Sequence, residues 1–286
     1  MIVTLAAAGA MAVSAPAWAQ APPVRVEAAG GVERISYRYR FQNDSSFDTP
    51  FLVPHFFEQR YERTAPLFGA RARYRLLAHT MRTGVSFTPE SDAFGSDVDT
   101  FFQPGGDVAK SGTAGDARLA SVRLDHAIGV FARPDVEIAV VVGWQRDRAD
   151  FLPADRVVTH TQPPSETREW ITDRERTVSQ TFEVGAEGLV TASAGPRWHI
   201  NAVARLYPAV RARLLVQLPD KYPGRDIVFT AAGWSGSGRV SLTRLFGTAE
   251  AGAWVSIEQG GSYRRSADFD RNAAAAGLVI AFGSRR

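Results

Sequence analysis

The chain has 286 residues, a formal net charge of +3 and no cysteine. Without cysteine it has no disulfide framework, thiolate metal site or cysteine nucleophile. Its 33 Lys and Arg against 30 Asp and Glu leave neither sign dominant, so we predict no nucleic-acid partner. No linker rich in Pro, Gly or Ser divides the chain after its first segment.

That first segment, residues 1–19, is almost entirely small and apolar. It ends in Ala17-Trp18-Ala19, a small-x-small pattern typical of signal-peptide cleavage sites. Its apolar run is shorter than the roughly 20 residues that a membrane-spanning helix needs. We predict a signal peptide over residues 1–19 and one exported domain over residues 20–286.

Apolar and polar residues alternate strictly in residues 32–42. The two sets are Ile35, Tyr37, Tyr39 and Phe41 against Arg34, Ser36, Arg38, Arg40 and Gln42. A β-strand sends successive side chains to opposite faces, so this segment has one apolar and one charged face. A transmembrane barrel turns its apolar face to lipid and its polar face to the lumen. We therefore predict that these arginines line a lumen.

The same alternation recurs along the chain and predicts about ten strands. Long polar connections alternate with short turns, the former near residues 43–54, 88–115, 147–168, 219–225 and 260–272, the latter near residues 64–67, 132–135, 194–196 and 247–248. Long extracellular loops and short periplasmic turns are typical of transmembrane barrels. A further turn at Tyr207-Pro208 would raise the count to twelve, because proline cannot donate a ladder hydrogen bond.

The exported segment, the alternating strands and the alternating loop lengths resemble a small bacterial outer-membrane β-barrel protein. The last strand resembles the C-terminal assembly strand of such proteins, with Phe282 near its end. The resemblance implies an all-β fold, a closed antiparallel up-and-down transmembrane β-barrel in the bacterial outer membrane. It also implies three partners: outer-membrane lipid, lipopolysaccharide and the barrel assembly machinery.

The predicted lumen face is strongly charged. It comprises Arg34, Arg38, Arg40, Glu58, Arg60, Glu62, Arg71, Arg73, Arg75, Arg123 and Asp125. A turn at residues 64–67 places Glu58 near Arg73 and sets the first strand's arginines across from the second strand's carboxylates. The same turn places Arg60 near Arg71. Facing opposite charges stabilise a sheet by a few tenths to about 1 kcal/mol per pair. We predict a charge network that largely fills the lumen, with attraction of small anionic solutes as the functional alternative.

Among ten-stranded barrels, the omptin proteases resemble this chain in length and strand count. The resemblance implies a loop-borne Asp pair, whose spacing Asp97 and Asp99 have, and an Asp/His pair, whose His is missing from residues 219–225. We therefore predict that Asp97 and Asp99 are solvated loop carboxylates and that the chain has no catalytic residues, cofactor or metal. The predicted role is structural, permeability-related or surface-binding. The alternative is an outer-membrane hydrolase at the extracellular mouth, with a His such as His79 in hydrogen-bond reach of a carboxylate such as Asp125.

Two more alternatives make different predictions, one about the loops and one about the burial of residues 32–42. A surface-binding protein would use aromatic and cationic loop residues, namely Tyr263, Arg264, Arg265, Phe101 and Phe102. A soluble periplasmic β-barrel binding protein would reverse the burial of residues 32–42. Its aromatic residues Tyr37, Tyr39 and Phe41 would lie inside, and its arginines Arg34, Arg38 and Arg40 outside.

Overall fold

The computed structural model describes residues 24–42, 56–77, 79–102, 106–263 and 267–283. The predicted signal peptide, the predicted loop at residues 43–54, and Arg264 and Arg265 lie outside the described residues. In the described ranges, no helix has the length and hydropathy to cross a membrane.

Eleven antiparallel strands account for most of the described chain. They are β1 Arg25–Gln42, β2 Phe56–Leu76, β3 His79–Phe102, β4 Val108–Ala132, β5 Val136–Thr161, β6 Pro164–Trp170, β7 Glu175–Ser193, β8 Trp198–Gln217, β9 Asp226–Phe246, β10 Ala249–Ser262 and β11 Ala267–Gly283. All except β6 form one closed ring, because β4 pairs with β5 as well as with β3. β6 pairs only with the far end of β5. The predicted ten-stranded up-and-down barrel is confirmed.

Several predicted boundaries are wrong, and each error shortens a strand. β2 runs without a break through residues 64–67, and the turn to β3 begins at Leu77. Pro66 is accommodated by a register shift against β3 between Glu62 and Phe68. Most of the predicted loops at residues 88–115 and 147–168 are strand, because pairing with both neighbours overrides weak β-propensity. β8 continues through Pro208 with a bulge opposite β9, so the chain does not gain two strands there.

The outer face of the barrel changes polarity along every long strand. On β5, outward Val140, Val142 and Trp144 are followed by outward Arg146 and Arg148. We define the crossover row as the first polar outward residue above the apolar stretch of each ring strand. Its members are Arg34, Thr64, Glu90, Arg118, Arg146, Gln180, Arg211, Thr230, Gln259 and Asn272. We call the part below this row, toward the short turns and the chain ends, the membrane half. The part above it, toward the longer connections, is the extracellular half.

The membrane half has the outer surface of a lipid-embedded barrel. Its outward residues are mainly apolar, and the polar pair Thr83 and His126, 2.9 Å apart, is an exception. Exposed aromatic residues mark both edges of the band: Phe68, Phe87 and Phe182 above, and Phe131, Trp198, Phe246 and Phe282 below. Transmembrane barrels carry such an apolar band, about 25 Å tall, between two aromatic girdles. Short turns and both ends of the described chain lie on the lower side, as predicted for the periplasmic end.

The inner face changes polarity in the opposite sense. In the membrane half, inward residues of β1 include Arg25, Glu27 and Glu33, whereas in the extracellular half they are Ile35, Tyr37, Tyr39 and Phe41. Those four residues belong to one buried cluster with Tyr61, Leu119, Phe151, Tyr207, Leu214, Val216 and Phe269. The extracellular half therefore has a hydrophobic core, and the membrane half has a charged one.

Because the inner and outer faces exchange polarity between the two halves, the lumen prediction is wrong for six of its eleven residues. Arg34, Arg38, Arg40, Glu58, Arg60 and Glu62 lie on the outer face of the extracellular half. There the outer face is in water, so the charged side chains belong outside and the aromatic ones inside. In residues 34–41 the burial is the one expected for a soluble barrel, even though the band below is that of a membrane barrel. Arg71, Arg73, Arg123 and Asp125 lie inside as predicted, and Arg75 is exposed at the periplasmic rim.

Candidate functional site

The lumen of the membrane half holds a connected network of ion pairs. Arg205 donates to Asp125 at 2.8 Å and also pairs with Glu187, which Arg82 contacts at 2.7 Å. Arg123 donates to both Glu183 and Glu258 at 2.7 Å. Because these groups are buried, each charge depends on its partners for compensation. The predicted charge network is present, although it is built from more strands than expected.

The predicted pairs about residues 64–67 do not form, because the turn is elsewhere. Glu58 accepts hydrogen bonds from Arg40 at 2.8 Å and from Arg60 at 2.6 Å, all on the outer face. Arg73 reaches across the lumen to Glu137 at 2.9 Å. Arg71 makes no ion pair with any described residue and borders two cavities, of about 160 and 240 Å³. First-strand arginines were predicted to face second-strand carboxylates, and Arg40 and Glu58 do face each other across β1 and β2.

Tyrosine and phenylalanine side chains fill the lumen above the network. Tyr61, Phe151 and Tyr207 each expose 2% or less of their surface. The Tyr37 hydroxyl donates to Asp147 at 2.6 Å. Higher still, the rings of Phe41 and Phe229 stack with centroids 4.0 Å apart. Side chains rather than water therefore occupy the lumen at this level.

A small cavity of about 110 Å³ lies above this aromatic layer, at the extracellular mouth. Four carboxyl groups and two cations line it: Asp97, Asp99, Asp173 and Glu175 with Arg156 and Lys221. We call this cavity the carboxylate cup. Its apolar wall includes Phe41, Phe57, Ile227 and Phe229. Lys221 and Asp173, 3.3 Å apart and each more than one third exposed, lie where the cup meets solvent.

The charged residues of the cup come from three strands and two connections, with Arg156 on β5 and Asp173 between β6 and β7. Asp97 and Asp99 share the inner face near the end of β3, and Glu175 begins β7. Gln59 of β2 donates across the lumen to Glu175 and accepts from Thr177 at 2.8 Å. Lys221 comes from the connection between β8 and β9. Among the described residues, Oδ1 of Asp97 and Oδ1 of Asp99 are buried without a hydrogen-bond partner.

The carboxyl groups of the cup hold protons more tightly than usual. Burial raises the pKa of Asp97 well above its usual value, and repulsion by Asp99 and Glu175 adds to that effect. Burial likewise raises the pKa of Asp99 to about 7. Burial and repulsion by Asp99 raise the pKa of Glu175 to about 8. At neutral pH the cup is therefore partly protonated, and a bound cation would favour its ionised form.

The histidine and carboxylate of the hydrolase alternative are not brought together. Nδ1 of His79 is 3.0 Å from the Gly129 carbonyl oxygen, whereas Asp125 is bound to Arg205. A different pair does form, with His160 Nδ1 2.8 Å from Asp107. Asp107 also accepts from the backbone of residues 161 and 162 at 2.9 and 3.0 Å, so it organises a connection and lines none of the described cavities.

The described part of the chain contains no group of three His, Cys, Asp or Glu residues arranged to hold a metal ion. The described loop aromatics of the surface-binding alternative are also apart. Phe102 ends β3, and Tyr263 follows β10, with three strands between them in the ring. Tyr263 donates to the Pro208 carbonyl at 2.7 Å, and Phe102 packs edge-to-face on Phe56.

Comparison with known proteins identifies the architecture. No protein-family model and no curated protein matches the chain. The solved structure of the outer membrane protease OmpT from Escherichia coli is similar over 92% of this chain and 97% of that chain, with a TM-score of 0.63 and 8% identity. This chain has the fold of a bacterial outer-membrane β-barrel protein. At 8% identity, this likeness shows the fold alone.

Two further solved structures match at lower TM-scores. The translocator domain of the autotransporter NalP from Neisseria meningitidis covers 89% of this chain and 88% of its own, at a TM-score of 0.35 and 10% identity. Ail of Yersinia pestis covers 89% and 98%, at a TM-score of 0.29 and 7% identity.

The sequence prediction for Asp97 and Asp99 is wrong, because both residues lie in β3 with buried carboxylate oxygens rather than in a solvated loop. Their spacing drew attention to them, but Arg156, Asp173, Glu175 and Lys221 were not identified. A usable signal was present, because Asp173 and Glu175 repeat the spacing of two residues that places Asp97 and Asp99 on one strand face. What joins the two pairs is the closure of the ring.

Proposed function

We propose that this outer-membrane barrel is closed to diffusion and has a surface-binding role, with the carboxylate cup as its binding site. The filled lumen supports the first part. Tyr61, Phe151 and Tyr207 occupy the lumen above a network of buried ion pairs, and small ten-stranded barrels are commonly filled by side chains.

The observation that carries the binding role is the pair of buried, unpartnered carboxylate oxygens of Asp97 and Asp99 beside Glu175. Buried polar groups are usually paired, and unpaired ones call for a partner. A cationic group supplies that partner, and the wall of Phe41, Phe57 and Phe229 accepts an adjoining apolar part. The cavity of about 110 Å³ admits part of a small molecule rather than a folded protein. The ligand class is thus a peptide-like molecule with one basic and one apolar group.

The test uses the folded protein in lipid nanodiscs and calorimetric titration with N-acetyl-Phe-Lys-amide. We expect binding that strengthens from pH 6 to pH 8, as the cup carboxyls lose protons. The neutral N-acetyl-Phe-norleucine-amide should bind at least tenfold more weakly. Asp99→Asn should weaken binding of the lysine probe about tenfold, equivalent to about 1.4 kcal/mol.

Asp92→Asn is the matched control, because Asp92 lies on the same strand but its side chain is 99% exposed. It should leave binding of the lysine probe unchanged. Equal binding of the charged and neutral probes, or no effect of Asp99→Asn, would refute the cup as a cation site.

Single-channel recording tests separately whether the lumen is closed. Wild-type protein inserted in a planar bilayer should show no stable single-channel current. The alternative proposal is that small anionic solutes pass through the lumen beside Arg71. Anion-selective current would support it. Assembly by the barrel assembly machinery and specific binding of lipopolysaccharide also stay predictions.

A hydrolase at the same mouth is the second candidate. It is favoured by Asp99 and Glu175, whose raised pKa values suit proton transfer near neutral pH. An identity of 8% to OmpT carries the fold and no activity, so the candidate rests on these carboxyls alone. Mass spectrometry of peptide mixtures incubated with wild type and with Asp99→Asn decides it. Cleavage by wild type only would establish a hydrolase, and intact peptides in both would exclude peptide hydrolysis.

A further inference from the structure

Three exposed arginines lie close together on the outer face of β5 and β8. Arg146 pairs laterally with Gln180 of β7, and Gln180 pairs with Arg213 of β8. Since neighbouring strands are about 4.8 Å apart, the backbones of Arg146 and Arg213 are about 10 Å apart. Arg211 lies two residues below Arg213 on the same face, about 7 Å along the strand. Long arginine side chains at these positions can converge on one group.

These arginines differ from most other outward arginines of the extracellular half in having no carboxylate partner among the described residues. The paired ones are Arg38, Arg40, Arg60, Arg118, Arg148 and Arg176, bound to Asp270, Glu58, Glu58, Glu90, Asp150 and Asp150. The lateral neighbours of the three unpaired arginines include Val122, Gln180 and Thr230, which carry no charge. Arg34 is also unpaired, but it stands alone on β1 between Thr64 and Ala274.

The height of the cluster on the barrel selects the kind of anion. Arg146 and Arg211 are the first polar outward residues above the apolar stretches of β5 and β8. Trp144 lies directly below Arg146 on β5, and Phe182 of β7 pairs laterally with both Trp144 and Arg211. Phe182 is 56% exposed, as expected for an aromatic girdle at the edge of the hydrocarbon. Lipid headgroups are found at this height, and arginine binds phosphate through two parallel hydrogen bonds.

We propose that Arg146, Arg211 and Arg213 form a binding site for the phosphate of a phosphorylated lipid in the surrounding outer leaflet. The lipid chains would pack on the band below, against Phe182, Val184 and Leu206, which are exposed there. The cluster would hold one lipid in a fixed place beside β7, whereas the paired arginines of the same surface would not.

The test is native mass spectrometry of the detergent-solubilised barrel with short-chain phosphatidic acid and short-chain phosphatidylcholine. Wild type should retain phosphatidic acid at least tenfold more strongly than phosphatidylcholine. The triple variant Arg146→Gln, Arg211→Gln, Arg213→Gln should lose this preference. The matched control Arg38→Gln, Arg40→Gln, Arg60→Gln changes three outward arginines that have carboxylate partners, and it should keep the preference.

Two further measurements cover a triple variant that does not fold and competition by free phosphate. If the triple variant does not fold, single Arg213→Gln and Arg213→Lys are measured. Glutamine should reduce the preference several-fold, and lysine should reduce it less, because it keeps the charge but loses the two-bond geometry. A 1,000-fold excess of inorganic phosphate should not displace phosphatidic acid. Displacement by phosphate, equal effects of the two triple variants, or no preference in wild type would each overturn the proposal.

Discussion

The membrane half and the extracellular half are built from the same strands, yet their faces have opposite chemistry. Below the crossover row the outside is apolar and the inside carries ion pairs such as Arg205 with Asp125. Above it the outside carries ion pairs such as Arg40 with Glu58, and the inside is a core around Tyr61 and Phe151. The difference shows that the solvent around a barrel decides which face of a strand is charged. Lipid and water make opposite demands on a β-strand that crosses from one to the other.

The largest expected effect tests the buried network of the membrane half. Arg205→Met leaves Asp125 without its ion-pair partner inside the lumen and leaves Glu187 with Arg82 alone. Removing one member of a buried ion pair costs about 3 to 5 kcal/mol, so the free energy of unfolding should fall by that amount. Urea unfolding in lipid vesicles, followed by tryptophan fluorescence, measures it. A loss below 1 kcal/mol would show that water compensates these charges and that the lumen is open.

A smaller effect tests the outer faces directly. Val140 in the membrane half and Phe94 in the extracellular half are both outward and similarly exposed, at 47% and 57%. Val140→Arg should lower the free energy of unfolding by about 2 to 4 kcal/mol, because arginine is costly near the bilayer midplane. Phe94→Arg faces water and should stay within about 0.5 kcal/mol of wild type. Equal values in the same vesicle assay would contradict the assignment of the apolar band to lipid.

The pH dependence of stability tests the carboxylate cup. Burial raises the pKa of Glu175 to about 8, against about 4.3 in the unfolded chain, so the folded state binds more protons between these values. Stability should therefore fall as pH rises from about 4 to 8, by at most about 1.4 kcal/mol per pH unit for this group. Glu175→Gln should flatten the profile of unfolding free energy against pH. Asp92→Asn should leave it unchanged, and a similar flattening there would count against the cup as the cause.

The smallest effect is expected for an ion pair on the outer face of the extracellular half. Arg38 pairs with Asp270, and both side chains are more than one third exposed. Exposed pairs contribute about 0 to 1 kcal/mol, so Arg38→Met should change the free energy of unfolding by no more than that. The chemical change equals that in Arg205→Met, which makes the two variants a direct comparison of the halves. A fall in the free energy of unfolding near 3 kcal/mol would place Arg38 in a desolvated site, contrary to its position on the water-facing outer surface of the extracellular half.

Much of the fold was predictable because β-strand periodicity is a local property. The alternation of Tyr37 and Tyr39 with Arg38 and Arg40 predicted a strand with two unlike faces, and the recurrence of that pattern predicted a ring of about ten. The short turns at residues 132–135, 194–196 and 247–248 lie where the sequence predicted them. Strand lengths were underestimated, because paired neighbours supply hydrogen bonds to Gly- and Asp-rich segments that a single strand would not.

The sequence by itself determined that the chain is a β-barrel and which residues share a face. Only the tertiary structure decided which face of each segment is inside, because a period of two is the same whether lipid, water or the lumen lies beyond it. It also joined Asp97 and Asp99 to Glu175, and Arg146 to Arg211 and Arg213, which are separated by many residues along the chain. Closing the ring makes these groups neighbours, and the height of each group on the barrel sets whether it meets lipid, water or a buried core.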